Sequence, residues 1–321
     1  IHAPTSGVVS AIVSHPNSHP SGRDGHCIVI RPDGLDRWKD LEPLEDWQRA
    51  DPSDIRQKIR SSGIVGLGGA VFPTAQKLVQ ATTCKLEFLL LNGVECEPYI
   101  SCDDVLMREH AQEVIGGAQI LLHALGIEVC YIAVESDKPE AIRQLAAVLS
   151  DLNDDRLVLK QVPTIYPSGG EDQLVQLVTN LEVPTGGLPT DIGCLVQNVG
   201  TAAAICNWIN NDEPLLSRIT TVTGDGVAQP MNVEARLGTS VADIVAFAGG
   251  YTDRAEQLII GGPMTGKSVS TDRVPLVKAT NCILVLSEVP AGGPQLPCIR
   301  CGDCAAVCPI QLLPQQLFWY A

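Results

Sequence analysis

The sequence predicts an α/β protein whose main domain contains a parallel β-sheet and which also carries a smaller α+β domain. Between residues 63 and 210, apolar runs of strand length alternate with segments of helical spacing, and this alternation is typical of parallel sheets. Between residues 217 and 290, several short strand-like runs surround one helix-like segment, which predicts an α+β unit. A cluster of four cysteines follows near the end of the chain.

The elements of the main domain are predicted in chain order from apolar spacing and from residues that break regular structure. The segment 1–31 reads as short strands separated by turns, and the polar, proline-rich stretch 32–52 is predicted as a linker. A helix is expected over 53–60, with Ser53 as its N-cap after Pro52. Further strands are predicted at 86–91, 127–134 and 157–162, and further helices at 103–125, 139–149 and 171–179.

The smaller domain and the cysteine-rich end are predicted in the same way. Gly249 and Gly250 end the one helix of the α+β unit, and the glycine-rich segment 291–294 is predicted as a linker. The strands of this unit are expected at 219–223, 233–235, 258–260 and 283–286, and its helix at 241–248. The predicted domains are therefore 1–52, 53–212, 213–290 and 291–321.

Composition excludes some classes of function. The formal net charge of −15 over 321 residues argues against a broad basic surface for nucleic acid. The longest uncharged stretch, 192–211, contains five Asn and Gln residues and is not expected to span a membrane. Because residue 1 is isoleucine and lies within a strand-like pattern, we expect the chain to be a fragment of a longer protein.

The cysteine cluster has the spacing of a bacterial-type [4Fe–4S] motif. Its residues are Cys298, Cys301, Cys304 and Cys308, followed by Pro309. Zinc is the alternative, although zinc sites usually split into two separated cysteine pairs. In two-cluster ferredoxins the fourth cysteine serves the other cluster, so this segment alone is not expected to hold a complete cluster.

A glycine-rich loop precedes a helix in the segment 63–77. Closely spaced glycines let backbone N–H groups approach a phosphate, and the following helix N-terminus and Lys77 favour the same anion. The loop matches neither a phosphate-binding P-loop nor a dinucleotide fingerprint, because Val71 stands where the third glycine of that fingerprint would be. An ordinary flexible loop is the alternative. The glycines are Gly63, Gly66, Gly68 and Gly69.

An acidic loop follows the apolar strand at 86–91. Ligands of open α/β sheets lie at the carboxyl ends of strands, which is where Asn92, Glu95 and Glu97 are expected. Carboxylates at that edge can accept hydrogen bonds from ribose hydroxyls, a carboxamide or a ring N–H; a solvated turn is the alternative.

Two later loops, 166–172 and 197–201, are each more typical of helix caps than of a site when taken alone.

Together these motifs resemble the FMN- and NADH-binding flavoprotein of respiratory complex I. They are still more similar to the C-subunit family of the Rnf electron-transport complex, and the resemblance covers essentially the whole chain. The segments that carry it are 2–7 (HAPTSG), 66–70 (GLGGA), 95–100 (ECEPYI), 166–170 (YPSGG), 196–202 (VQNVGTA) and 313–317 (LPQQL). The resemblance implies a partial barrel-sandwich lobe, a flavin domain, a β-grasp domain and the first half of a two-cluster [4Fe–4S] module.

The resemblance also assigns residues to an FMN and NAD(H) site. One group would hold the FMN phosphate and ribityl chain, a second would line the flavin and nicotinamide, and a third would close the pocket. Phe72 would stack on the adenine of NADH. The three groups are, in order, Gly66, Gly68, Gly69 and Lys77; Asn92, Glu95 and Glu97; and Gly170, Glu171 and Asn198.

Two positions depart from the family pattern. Val71 stands where the family has glycine, and a β-branched residue tolerates positive φ poorly, so a positive φ here would make nucleotide affinity doubtful. Val94 stands where the complex I flavoprotein has aspartate, so one flavin contact is expected to be absent.

The implied activity is electron transfer. Nicotinamide exchanges two electrons as a hydride, a cluster exchanges one, and a flavin does both, so FMN would lie between NAD(H) and [4Fe–4S]. No side chain is needed as an acid or base catalyst. The resemblance implies, as partners, the other subunits of an Rnf-like membrane complex and, indirectly, ferredoxin, with the protein peripheral on the cytoplasmic face of the bacterial inner membrane.

Two alternatives remain open from the sequence. A cobalamin reductase of bacterial microcompartments resembles the same fold and uses FMN and clusters with a different acceptor. A scaffold subunit with a vestigial flavin pocket is a non-enzymatic alternative, which Val71 and Val94 keep under consideration. The segment 313–317 (LPQQL) after the cysteine cluster favours the Rnf family over the cobalamin reductase. Flavin absorbance and its bleaching by NADH would separate a scaffold subunit from an electron-transfer flavoprotein.

Overall fold

The structure is a computed structural model that describes residues 2–18, 23–288, 296–308 and 310–320. The chain divides into two compact units, Ile1–Ser287 and Glu288–Ala321, which are described separately. No helix among the described residues is both long enough and apolar enough to cross a membrane.

A two-stranded antiparallel hairpin opens the first unit. It consists of β1 (Gly7–His15) and β2 (Gly25–Pro32), with a bulge between Val9 and Ala11. A less regular segment follows, and it contains a single 3-10 turn at Trp47–Arg49. Strands are therefore present in the segment where the sequence predicted them.

The main domain contains the predicted parallel sheet. Strand order is β5-β4-β3-β6, and each neighbouring pair is parallel. Residues of β3 alternate between the two faces: Leu89 and Leu91 pack into one apolar cluster, and Leu90 packs into another. The sheet is therefore buried on both faces. Its strands are β3 (Phe88–Gly93), β4 (Cys130–Glu135), β5 (Leu157–Val162) and β6 (Cys194–Asn198).

Seven helices accompany these strands in the part of the main domain that the structure describes. Their order alternates with the strands, as the pattern predicted. They are α1 (Pro52–Ser62), α2 (Thr74–Ala81), α3 (Cys102–Glu109), α4 (Ala111–Leu125), α5 (Pro139–Leu152), α6 (Glu171–Thr179) and α7 (Val199–Asn211).

Two details of the predicted helices were wrong. The N-cap of α1 is Asp51, whose carboxylate accepts a hydrogen bond from the Ser53 N–H, so Ser53 lies inside the first turn. The single predicted helix at 103–125 is two helices, because His110 leaves helical backbone at φ −127° and ψ 36°. Apolar spacing continues across His110, so periodicity alone did not show the break.

Helices α4 and α7 pack closely because Gly117 has no side chain. A methyl group at Gly117 would lie 1.9 Å from the carbonyl oxygen of Ala202. This approach fixes the start of α7, which carries Asn198 as its N-cap, against the rest of the domain.

The second domain, defined here as residues 217–286, is the predicted α+β unit. Its sheet has the order β10-β9-β11-β7-β8, with β11 parallel to β7 and the other pairs antiparallel. The edge strand β10 was missed, because three residues are too few to show a pattern. The elements are β7 (Ser217–Thr223), β8 (Met231–Arg236), α8 (Val241–Phe247), β9 (Gln257–Ile260), β10 (Lys267–Val269) and β11 (Cys282–Leu286).

The second unit contains two short helices, α9 (Asp303–Ala306) and α10 (Pro314–Tyr320). Pro314 is the first residue of the second helix, where its fixed φ suits the start of a helix. The linker predicted at 291–294 and the Pro309 that follows the cysteine cluster lie outside the described residues.

Candidate cofactor site

Two asparagines meet at the carboxyl edge of the parallel sheet. Asn92 of β3 and Asn198 of β6 are register partners on neighbouring strands. The Asn198 amide also caps helix α7 by accepting a hydrogen bond from the Gly200 N–H at 2.8 Å. The predicted site residues of both strands therefore lie side by side, at the edge where α/β sheets bind ligands.

The glycine-rich loop closes on itself and docks on α7. The Gly66 N–H donates to the Phe72 carbonyl at 2.8 Å, and the Thr74 N–H donates to the Ile64 carbonyl at 3.1 Å. The Leu67 N–H donates to the hydroxyl oxygen of Thr201 at 3.0 Å. The loop is thereby held beside the capped start of α7.

The tip of this loop presents free backbone donors. Within the described structure, no group accepts a hydrogen bond from the N–H of Gly68, Gly69 or Ala70. Gly69 has φ +108°, and a methyl group at Gly68 would make ordinary contact with Asn198 at 3.6 Å. Successive unpaired N–H groups with a positive-φ residue form a concave anion-binding cradle. The buried hydroxyl of Thr74, at the start of α2, also lacks a partner among the described residues.

Val71 adopts the positive φ that the sequence analysis identified as unfavourable for it. Its φ is +48°, and its side chain is partly exposed. The loop therefore keeps a left-handed backbone at this position despite a β-branched residue, at a cost of roughly 1–2 kcal/mol.

We expect Val71→Gly to keep the wild-type FMN affinity, because the loop already has the left-handed backbone at this position, and not to lower the melting temperature. The substitution removes the left-handed strain, and this gain offsets the roughly 0.5–1 kcal/mol by which glycine favours the unfolded chain. Isothermal titration with FMN and thermal unfolding measure both effects. Val79→Gly is the matched control, because Val79 is also exposed but lies in helix α2. A loss of stability as large as that of the control would contradict the expectation.

Lys77 and Glu171 join the glycine-rich loop to the start of α6. The Lys77 ammonium lies 2.8 Å from a Glu171 carboxylate oxygen, and both side chains are partly exposed. Phe72 is also partly exposed. Two predicted site residues, Lys77 of α2 and Glu171 of α6, are thus in direct contact.

The loop before α6 is fastened to the end of β3. The Asn92 side-chain amide donates to the Gly169 carbonyl at 2.9 Å, and its oxygen accepts from the Val94 N–H at 3.0 Å. A methyl group at Gly169 would lie 2.9 Å from the Val94 carbonyl oxygen. Gly170 is the N-cap of α6. The Val94 side chain is buried in an apolar cluster.

Glu95 turns inward to the start of α3. Its carboxylate accepts hydrogen bonds from the N–H groups of Asp103 at 3.0 Å and Asp104 at 3.2 Å, and from the Cys102 thiol at 3.3 Å. The Asp103 carboxylate in turn accepts from the Asn198 amide at 2.6 Å. Asp103 was missed as a site residue, because an acidic residue in the first turn of a helix reads as ordinary dipole stabilisation.

Burial and charge repulsion make this carboxyl pair protonate easily. Burial, reinforced by the negative charge of Asp103, raises the pKa of Glu95 to about 7. Burial also raises the pKa of Asp103, although its hydrogen bond from Asn198 and the charge of Arg218 act in the opposite direction. Both groups therefore bind a proton at a higher pH than exposed carboxyl groups do.

The raised pKa of Glu95 predicts that stability falls as the pH rises. Between the ordinary pKa of 4.5 and about 7, the folded protein binds more protons than the unfolded chain, so the free energy of unfolding decreases through this window. Glu95→Gln is expected to flatten the decrease, as measured by urea unfolding at pH 5 and pH 8. Glu140→Gln is the control, because Arg143 lowers the pKa of this exposed residue. An unchanged slope in Glu95→Gln would contradict the assignment.

Glu97 points toward the second domain. One of its carboxylate oxygens accepts from the N–H groups of Met264 at 2.9 Å and Thr265 at 2.8 Å, and the other accepts from the Thr265 hydroxyl at 2.6 Å. Sequence reasoning missed Thr265, because nothing local relates two residues so far apart in the chain.

The cysteine segment winds in a way that suits thiolate ligands. Arg300 and Gly302 both have positive φ, which turns the chain between the first three cysteines. The Arg300 N–H donates to the Cys298 sulfur, and the Leu312 N–H donates to the Cys308 sulfur, each at 3.4 Å. Hydrogen bonds to sulfur are typical of iron–sulfur sites and adjust their potentials, so the residues present fit such a group.

Comparison with known families supports the assignment of both domains. The Nuo51 FMN-binding domain matches residues 59–207, and the SLBB domain matches residues 219–268. The first range contains every predicted FMN and NAD(H) residue, and the second lies in the α+β unit.

Curated relatives match the chain over its full length. The C subunit of the ion-translocating oxidoreductase complex of Pseudomonas aeruginosa is 51% identical, and that of Vibrio cholerae is 47% identical. Both alignments cover 100% of this chain, which spans 41% of each relative.

A solved structure shares the fold. The NAD⁺-reducing [NiFe]-hydrogenase in its H₂-reduced state aligns with a TM-score of 0.61 and 22% identity, over 79% of this chain and 51% of that chain. The predicted flavoprotein-like α/β fold is thereby confirmed.

Proposed function

The chain belongs to the C-subunit family of ion-translocating oxidoreductase complexes, and we propose that it supplies the FMN and NAD(H) site of such a complex. The chain spans 41% of the relatives' length, so the proposed electron-transfer activity is that of the complete subunit. The cysteine motif would begin the path of electrons from this site to [4Fe–4S] clusters and, indirectly, to ferredoxin.

The anion cradle at Gly68–Ala70 is the observation that carries the proposal. Three successive N–H groups are free at the tip of a loop fixed to the capped start of α7, within the region that matches an FMN-binding domain. Phosphate is the part of FMN that such donors bind best. Lys77, in the first turn of α2, adds a positive charge. Its ammonium could contact the phosphate as well as its ion-pair partner Glu171.

The remaining residues would orient the two nucleotides. Asn92 and Asn198 fix the carboxyl ends of their strands. Gly170 and Glu171, at the start of α6, would close the nucleotide pocket. Glu95, buried and held by backbone donors, keeps the acidic loop in one conformation. None of these side chains transfers a proton to a reacting atom, so they act by binding and positioning.

FMN bound at this site would supply the chemistry that links two-electron hydride exchange with NAD(H) to one-electron exchange with an iron–sulfur acceptor. Cys298, Cys301 and Cys304 would hold the iron of one such cluster through their thiolates, and Cys308 would hold iron of a second cluster. We further propose that the complete subunit docks on the other subunits of its complex, peripherally, at the cytoplasmic face of the membrane.

Glu97→Gln tests the nicotinamide side of the proposal in the full-length protein. The variant keeps the shape of the side chain but removes the negative charge that strengthens a hydrogen bond from NADH, a difference of roughly 1–1.5 kcal/mol. We expect a roughly tenfold lower NADH:ferricyanide turnover at subsaturating NADH, with unchanged FMN content. Glu256→Gln, an exposed substitution in the second domain, is the control. Unchanged turnover in Glu97→Gln would count against its role.

A further inference from the structure

The loop between β9 and β10 of the second domain forms a cradle for one carboxylate. It consists of residues 261–266 and is anchored to the sheet by a hydrogen bond from the Gly261 N–H to the Cys282 carbonyl at 2.8 Å. The loop turns tightly, because a methyl group at Gly266 would lie 2.3 Å from the Gly262 carbonyl oxygen. Its two backbone donors and one hydroxyl all bind Glu97.

The absence of a side chain at Gly262 makes room for Glu97. A methyl group there would lie 2.4 Å from both the Cδ and the Oε1 atoms of Glu97, and no atom of another residue is among its three nearest neighbours. Gly262 has no positive φ, so alanine fits the backbone at this position. The space is therefore specific to the Glu97 carboxylate.

The cradle leaves Glu97 with one free acceptor position. A carboxylate offers about four lone-pair sites, and three are occupied by Met264 and Thr265. The remaining site is on Oε2, the oxygen that the Thr265 hydroxyl binds. The acidic loop is held a second time by the Ser101 N–H, which donates to the Thr221 hydroxyl of β7 at 3.0 Å.

We infer that the second domain positions Glu97 for NAD(H), with Thr265 and Gly262 as the positioning residues. This inference deepens the proposed function and rests on it. Thr265 aims the free lone pair of Glu97 at a single hydrogen-bond donor, such as a ribose hydroxyl or the carboxamide N–H. The α+β domain is thus part of the nucleotide site although it contributes no direct ligand.

A double-mutant cycle in the full-length protein tests this role. Gly262→Ala should raise the KM for NADH roughly three- to tenfold, with kcat changed less than about twofold, because it displaces Glu97. In a Glu97→Ala background the same substitution should have no further effect, because nothing remains to be displaced. An equal rise in KM in both backgrounds would overturn the inference.

Substitutions at Thr265 supply a second measurement. Thr265→Val keeps the branched shape but loses the hydroxyl donor, so KM should rise several-fold, and Thr265→Ser should restore it. Thr271→Val is the control, because the Thr271 hydroxyl oxygen accepts a hydrogen bond from the Arg273 N–H of its own loop. Failure of serine to restore KM, or an equal effect of the control, would contradict the positioning role.

Hydrogen exchange separates this inference from the proposed function. The amides of Met264 and Thr265 should exchange at least about tenfold faster in Glu97→Ala than in the wild type, because their acceptor is gone. Unchanged exchange would overturn the positioning role by itself. Faster exchange in the variant, together with no NADH oxidation by the wild-type protein, would overturn the proposed function instead.

Discussion

Replacing Gly68 with aspartate is expected to abolish FMN binding, with the dissociation constant rising at least about 100-fold, or about 2.7 kcal/mol. The new carboxylate would lie beside the free N–H groups of Gly69 and Ala70, where it repels the FMN phosphate and competes for its donors. Isothermal titration of the full-length apoprotein with FMN measures the effect.

The fold should survive this substitution. A methyl group at Gly68 would be 3.6 Å from Asn198, an ordinary contact, and the residue has no positive φ. Gly126→Asp is the matched control: Gly126 has open space around it and φ +67°, which aspartate tolerates. Gly126 follows α4, at the opposite edge of the parallel sheet from the Gly68–Ala70 loop tip. Retention of FMN by Gly68→Asp would contradict the proposed phosphate site.

Cys301→Ser is expected to lower the iron content of the full-length protein from about eight to about four atoms per chain. Serine replaces one thiolate ligand, and a four-iron cluster that loses a ligand is not retained on purification. Iron and acid-labile sulfide analysis measures the change. FMN content and NADH:ferricyanide turnover should remain, because both depend on the first unit.

A matched cysteine outside the motif controls for general thiol effects. Cys84 is partly exposed and lies at the end of α2, so Cys84→Ser should keep all the iron. Stoichiometric zinc in place of iron in the wild-type protein, or undiminished iron in Cys301→Ser, would contradict the iron–sulfur assignment.

Local sequence patterns were enough to predict the architecture. The leucines of β3 predicted a buried strand, and their alternation between two apolar clusters explains why the run is continuous. The glycines at 66, 68 and 69 predicted an anion-binding loop, and free N–H groups are present at its tip. These features depend on short-range chemistry, which a sequence displays directly.

Features that depend on distant contacts could not be predicted. Glu97 accepts a hydrogen bond from Thr265, which lies in a hairpin loop of another domain. Asn198 donates to Asp103, whose place in the first turn of a helix gave no sign of a role in the site. Conversely, Val71 was expected to tolerate positive φ poorly, yet the closed loop holds its φ at +48°. There, the hydrogen bonds that close the loop outweigh a local preference.

The absorption spectrum of the full-length protein, recorded anaerobically before and after addition of NADH, tests the central claim most directly. We expect a yellow protein with about one FMN per chain, whose flavin band is bleached by stoichiometric NADH. A scaffold subunit with a vestigial pocket would be free of flavin. A fully reconstituted protein that remains without flavin, or whose flavin band does not respond to NADH, would contradict the assignment of this chain to electron transfer.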